Sequence, residues 1–219
     1  MRKIIVGAFV SLDGVMQAPG GPQEDPTGGF EYGGWVAPYF DETMGEAVGE
    51  MFAKPFDLLL GRKTYDIFAA HWPYVGADDP IGPLFDRITK YVATRNPELK
   101  LDWQNSQTLG SDVLATLREL KSEDGPDLLT QGSTDFLQTL LSNDLVDEMN
   151  ISLFPLVLGK GKKLFGSGTV PTALKLVSSK VSTSGVTVNK YVRGGPVVTG
   201  SFEFEQPTEA ELERRRKLT

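Results

Sequence analysis

The sequence predicts an α/β fold: a mixed, mainly parallel central sheet with helices on both faces and antiparallel strands at its C-terminal end. Two patterns lead there. Through the first two-thirds of the chain, short apolar runs end in polar turns and pass into amphipathic segments, the order that builds parallel strands through helical crossovers. From Asp147 onward the helical periodicity gives way to apolar runs separated by glycine turns, the texture of antiparallel hairpins. With 40% hydrophobic and 23% charged residues, the 219-residue chain can pack a core of one large domain, or of one domain with an appendage.

Ile4 to Val10 is apolar and rich in β-branched residues, a buried first strand. Glycine and proline dominate Gln17 to Trp35, "QAPGGPQEDPTGGFEYGGW"; so long a loop in a compact domain is a lid, a binding loop or a disordered segment. Met44, Val48, Met51 and Phe52 recur at i, i+4, i+7 and i+8, an amphipathic helix from about Phe40 to Ala53. Asp57 to Leu60 is a short buried strand that runs into Gly61-Arg62-Lys63-Thr64 and a helix start. Thr89 to Thr94 is another strand, ended by the polar turn Arg95-Asn96-Pro97. Ser111 caps a helix with Val113, Leu114, Leu117 and Leu120 on its apolar face. "DLLTQGSTDFLQTLL" repeats the earlier pattern, a strand, a Gly132-Ser133-Thr134 turn and a helix carrying Phe136, Leu137, Leu140 and Leu141. Asn150 to Leu158, Leu174 to Val181 and Val186 to Arg193 are strands, and Val197 to Glu205 adds one more.

Composition excludes several classes of function. The chain has no cysteine, so disulfides, thiolate nucleophiles and cysteine–zinc sites are ruled out, in agreement with a reducing, cytoplasmic setting. His71 is the only histidine, which rules out a histidine-rich metal centre, and no metal site is expected. A net charge of -7 argues against nucleic acid as a partner. No apolar run approaches the roughly 20 residues of a membrane helix, and the N-terminus reads as a strand rather than a signal peptide.

Three junctions after strands carry small, hydroxylic or cationic residues: Gly61–Thr64, Thr94–Arg95 and Gly132–Thr134. Ligands of open α/β sheets sit beyond the carboxyl ends of the strands, where helix N-termini offer unpaired N–H groups that suit phosphate. The bland alternative is that Thr64 and Ser133 are helix caps. Neither the phosphate loop G-x-x-x-x-G-K-[ST] nor G-x-G-x-x-G after a strand is present.

In order along the chain come "SLDG" at Ser11–Gly14, "LLLGRKTYDIF" with "HWPYV" just after it, and "YVATR" at Tyr91–Arg95. "TQGSTDFLQTLLSNDLVDEMNISLFPLVLGKGKKLF" follows at Thr130–Phe165. Together they resemble the dihydrofolate reductase fold, in the branch related to the riboflavin-biosynthesis reductase domain (the C-terminal half of bacterial bifunctional deaminase–reductases). The resemblance covers roughly residues 1–193 as one reductase domain and leaves 194–219 as an extension of strand plus charged helix. It implies NADPH as cofactor, a small-molecule substrate and a homodimer. Gly61, Arg62, Lys63 and Thr64 would line the dinucleotide phosphates. Thr94 and Arg95 would address the adenosine 2′-phosphate, and Gly132, Ser133 and Thr134 the pyrophosphate or ribose. Ala8 to Gly14 would run beside the nicotinamide, and Gln17 to Trp35 would be the mobile active-site loop. The family's double-glycine turn reads Gln131-Gly132-Ser133 here, and the deaminase half is absent.

Reduction of a C=N or C=O group needs a proton source besides the hydride. Asp13 is the candidate catalytic acid, its alternative role being a turn aspartate capping Gly14 and Val15. Asp41 and Glu42 are rivals whose bland reading is stabilisation of a helix N-terminus. Trp35 and Tyr39, with Phe40, form either an aromatic wall for a flat heterocyclic substrate or lid-to-core packing. His71 reads as a structural or surface residue, and Tyr65 and Phe68 as packing. In the tail, Thr208 and Glu211 form a capping box, with Arg214 to Lys217 at the helix end. Two functions stay open: an NADPH-dependent reductase of a small heterocyclic, ribosylaminopyrimidine or pterin-like substrate, and a non-catalytic NADP(H)- or pterin-binding protein.

Overall fold

The computed structural model describes residues 1–96, 98–204 and 206–218. β1 (Ile4–Ser11) leads through the long loop to α1 (Glu42–Phe52), β2 (Phe56–Gly61), α2 (Arg62–Ala69) and a short α3 (Gly82–Arg87). β3 (Lys90–Ala93), β4 (Ser106–Thr108), α4 (Val113–Ser122), β5 (Asp127–Thr130) and α5 (Thr134–Ser142) follow. β6 (Glu148–Phe154), β7 (Ala173–Val181), β8 (Thr187–Gly195) and α6 (Glu209–Arg216) complete the chain.

The strands form one eight-stranded sheet in the order β4-β3-β2-β5-β1-β6-β8-β7. From β4 to β6 every neighbouring pair is parallel. β8 runs antiparallel to both β6 and β7. The architecture is therefore the mixed, mainly parallel sheet that the patterning implied.

Alternation along the strands explains why helices cover both faces. Ile4, Val6, Ala8 and Val10 pack with Leu59 and Leu128 against Leu117 and Leu120 of α4 and Phe136, Leu137 and Leu140 of α5. The alternate residues do the reverse: Leu58, Leu60 and Leu129 join Phe56, Tyr65 and Phe85 on the face covered by α1, α2 and α3. Leu58, Leu59 and Leu60 are all fully buried, so a continuous apolar run is what a doubly covered strand requires. Each such side chain stabilises the fold by about 1.5–3 kcal/mol.

Several expectations are corrected. Asp112, not Ser111, caps α4, its carboxylate accepting from Ala115 N. β6 stops at Phe154 because Pro155 has no N–H for the ladder, so the run to Leu158 leaves the sheet. Residues 197–204 form no strand, and the expected end of that strand, Glu205, lies outside the described residues, as does Pro97 of the polar turn. α3 and β4 were not anticipated; six residues and three polar residues are too short to carry a period. In α6, Thr208 does cap Glu211 N, while the Glu211 carboxylate binds Arg214 and Arg215.

A buried ion pair anchors the start of the sheet. Arg2 donates from Nη2 to Asp57 Oδ2, from Nε to Pro126 O (2.6 Å) and from Nη1 to Tyr91 Oη (3.3 Å), and Asp57 Oδ1 accepts from Thr89 N (3.1 Å).

Candidate active site

A cavity of about 400 Å³ opens beyond the carboxyl ends of β2 and β5 and over the second half of β1, the position at which open α/β sheets bind ligands. Its volume is that of a small-molecule site. Gly7, Ala8 and Phe9 form its floor, Lys63 and Thr64 of α2 and Ser133, Thr134 and Asp135 border one side, and Met51 and Phe52 of α1 border another.

The helix starts here are chemically distinct. α1, α4 and α6 each have a side-chain cap, from Asp41, Asp112 and Thr208. α2 and α5 start at Gly61 and Ser133, whose side chains make no capping bond among the described residues, and helix starts of this kind can receive an anion on their first-turn amides. Ser133 stands at the N-cap position of α5 without a capping bond from its hydroxyl, and Thr64 lies inside the first turn of α2 rather than at its cap. Two glycines bring these helix starts together. Gly61 N donates to Gly132 O at 3.2 Å. A Cβ on Gly61 would meet Ser133 Oγ at 2.0 Å and Ser133 N at 2.9 Å. Gly132, at φ +139°, would place a Cβ 2.6 Å from Thr64 Oγ1. Both turns are packed to a closeness only glycine permits.

Of the residues singled out from the sequence, Ala8, Lys63, Thr64, Gly132, Ser133 and Thr134 border the cavity. Gly61 lies directly behind Ser133. Arg62 is on the exposed start of α2, its Nε 2.6 Å from Asp66 Oδ1. Thr94 and Arg95 follow β3, Thr94 Oγ1 accepting from Asn96 N (3.1 Å) while Arg95 is exposed. Gly14 forms the turn after β1 at φ +86°.

The aromatic wall is corrected. Trp35 and Tyr39 stack edge-on against Phe154, at 5.1 and 5.9 Å, and Trp35 Nε1 donates to Gln17 O (2.8 Å). They build a core under the loop, and Phe40 alone of the three borders the cavity. Phe68, expected only to pack, stacks on Phe85 and also borders it. Tyr65 is buried, its hydroxyl accepting from Trp103 N (3.1 Å). His71 is exposed beside Trp72. Asp41 is occupied by Met44 N, Thr183 and Ser184.

The loop from Gln17 to Trp35 forms a wall held by its own polar groups. Gln17 is buried; its Nε2 donates to Asp25 O and Thr27 O (2.9 Å each), and its Oε1 accepts from Lys162 N (3.0 Å). Lys162 Nζ pairs with Asp25 Oδ2 at 2.5 Å. The acidic pair Glu24–Asp25 and Lys162 all border the cavity; none was singled out from the sequence, and "PQED" within a glycine–proline run was the one signal for the acids. Glu24 Oε2 accepts from Gly20 N (2.5 Å) and Gly21 N (3.2 Å). Burial pushes the Glu24 carboxyl above its usual range, against those two amides and with help from the Asp25 charge. Burial acts upward on Asp25 too, but the bonds from Lys162 and Thr27 outweigh it, and the net shift is downward.

Asp13 lies outside the residues that border the cavity. Its Oδ1 accepts from Ser11 Oγ (2.6 Å) and Leu158 N (3.1 Å), and its Oδ2 from Gly159 N (2.8 Å). The Ser11 hydroxyl above all, with the Leu158 and Gly159 amides, holds its carboxyl down at about 2. Instead of a proton donor, the geometry shows an anion tying the β1 turn to the segment after β6. A folded-state value below the unfolded 3.8 means that this tie stabilises the protein above about pH 4 and is lost as pH falls towards 2. Asp13→Asn is therefore expected to lower the urea midpoint at pH 7 and to leave it close to wild type at pH 2; an equal loss at both would contradict the assignment.

The RibD C-terminal domain model matches residues 2–188. The uncharacterized protein YyaP of Bacillus subtilis (strain 168) is 29% identical over 189 residues, 84% of this chain and 92% of that protein. Among solved structures, a putative riboflavin biosynthesis protein from Shewanella sp. PV-4 superposes with a TM-score of 0.60 at 21% identity, covering 87% of this chain and 98% of that one. Dihydrofolate reductase from Enterococcus faecalis, complexed with NADP(H), superposes with a TM-score of 0.55 at 13% identity, covering 88% and 96%. The sheet is thus dihydrofolate reductase-like.

Proposed function

Because the chain belongs to the RibD C-terminal domain family, we propose that it is an NADPH-dependent reductase of a C=N or C=O group in a small heterocyclic, ribosylaminopyrimidine or pterin-like substrate. The observation that carries this reading is the pair of uncapped helix starts at Gly61 and Ser133, packed side by side on the cavity. α1, α4 and α6 are capped by carboxylates and a hydroxyl, a contrast that supports reading the open starts of α2 and α5 as anion sites.

The donor set suits a dinucleotide. First-turn amides of α2 and α5, with the Thr64 and Ser133 hydroxyls, would hold the pyrophosphate. Lys63, exposed at the same border, and Arg95, exposed after β3, would add positive charge, Arg95 and Thr94 at the 2′-phosphate. A reduced nicotinamide held there would supply the hydride. The apolar floor of Ala8 and Phe9 and the α1 side chains Met51 and Phe52 exclude water from the reacting face. The packed loop would form the wall on the substrate side.

Fluorescence titration of the purified protein with NADPH and with NADH tests the reading. NADPH is expected to bind at least ten-fold more tightly, and Arg95→Ala to close most of that gap while leaving NADH affinity within about two-fold, since one charged hydrogen bond to a phosphate is worth about 1.5–3 kcal/mol. Binding of neither dinucleotide would overturn it.

A further inference from the structure

Three carboxyl groups border the cavity: Glu24, Asp25 and Asp135. Asp25 is engaged by Lys162 and Thr27. Asp135 sits in the first turn of α5, beside the uncapped amides assigned above to an anion. Glu24 differs from both. It is half-buried in the packed loop, and no cation pairs with it among the described residues. Its two hydrogen bonds both fall on Oε2, from Gly20 N and Gly21 N, and Oε1 has no bonded partner among the described residues.

The loop is built to hold this carboxyl. A side chain on Gly20 would meet Oε2 at 3.0 Å, so the glycine leaves the space the carboxyl fills. Behind it, Gly33 lies so close to Gly21 and Pro22 that a Cβ would approach Gly21 O at 2.6 Å and Pro22 Cα at 2.8 Å. Gly34 N donates to Ala18 O (2.9 Å) and Glu24 N to Gly21 O (3.2 Å). The segment that carries Glu24 is thereby fixed against the cavity by backbone contacts.

From this geometry we infer that Glu24 is the acid that protonates the substrate as the hydride arrives. The inference rests on the reductase reading. When a reduced nicotinamide gives its hydride to the carbon of a C=N or C=O group, the bond's electron pair moves to nitrogen or oxygen. The carboxyl O–H bond breaks, the new N–H or O–H bond forms, and a carboxylate and the oxidised nicotinamide remain; water then reprotonates the carboxylate. The charged groups around the same cavity are Asp25 on the loop, Lys162 beyond β6, Lys63 on α2 and Asp135 on α5. The burial of Glu24, with a smaller contribution from the Asp25 charge, favours the protonated form, which an acid acting near neutrality needs.

The test combines three measurements on the full chain. In ligand-free protein carrying carboxyl-labelled glutamate, the NMR signal lost in Glu24→Gln is expected to titrate above 4.5, the ordinary glutamate value; a midpoint at or below it overturns the assignment. NADPH fluorescence titration is expected to give the same dissociation constant, within about two-fold, for wild type and Glu24→Gln, whose amide oxygen still accepts from Gly20 and Gly21. NADPH oxidation is followed with dihydrofolate and with 5-amino-6-ribosylaminouracil as probes. Glu24→Gln is expected to lower that rate about 10²-fold or more and to abolish its fall at alkaline pH. A rate within three-fold of wild type, a surviving alkaline fall, or no oxidation by wild type with either probe overturns the proton-donor role. Wild type that binds no NADPH sinks the reductase reading as well, whereas normal NADPH binding with an unraised midpoint sinks the Glu24 assignment alone.

Discussion

Gly61→Ala is expected to weaken NADPH binding at least ten-fold and to lower the melting temperature by roughly 5 °C. The cause is steric rather than conformational. Gly61 has φ -72° and ψ 153°, an extended backbone open to any residue. Its Cβ would nevertheless lie 2.0 Å from Ser133 Oγ, 2.9 Å from Ser133 N and 3.0 Å from Phe136 Cβ. Ser133 Oγ can rotate away; the Ser133 amide and Phe136 cannot, because Phe136 packs in the core with Leu137 and Leu140. The starts of α2 and α5 must therefore separate, and overpacking of this kind costs about 1–3 kcal/mol, with 1 kcal/mol worth roughly 2–4 °C in a chain of this size. Gly49→Ala is the control. In α1 its Cβ meets nothing within 4 Å, so the exchange should raise stability by about 0.5–1 kcal/mol and leave NADPH affinity unchanged. Wild-type NADPH affinity in Gly61→Ala would remove the Gly61–Ser133 approach from the binding site.

Asp57→Ala is expected to have the largest effect on folding, a loss of about 3–5 kcal/mol in urea unfolding, because it strands the guanidinium of Arg2. Arg2 is 4% exposed, too deep for water to replace the lost carboxylate. Thr89 N would lose its acceptor as well. Replacing both partners by apolar residues, Arg2→Met with Asp57→Leu, should recover more than half of the loss, since no charge then stays buried alone. A double variant as unstable as Asp57→Ala would mean that the hydrogen bonds to Pro126 O and Tyr91, rather than the charge, hold the start of β1 in place.

Much of the fold was legible because it is written locally. Leu58 to Leu60 followed by a glycine turn has the pattern of a doubly covered strand entering a helix, as does Leu128 to Thr130, and both are strands. Asp112 displaced Ser111 as a cap by a single position, the ordinary imprecision of a helix end. The glycine turns border one side of the cavity, and they are legible in sequence because close approach of two backbones selects glycine.

What the tertiary structure alone decided is how the carboxyls near the cavity are paired. Asp13 and Glu24 both lie in the polar stretch after β1, and Asp13 has one local partner, the Ser11 hydroxyl two residues before it. Its remaining partners, the amides of Leu158 and Gly159, lie 145 and 146 residues further on. Asp25 is paired with Lys162, 137 residues away, which leaves Glu24 half-buried without a cation among the described residues. Trp35 and Tyr39 likewise became core because Phe154 lies beneath them. Backbone conformation answers to neighbours in sequence, whereas burial and charge answer to neighbours in space, and only the fold brings those together.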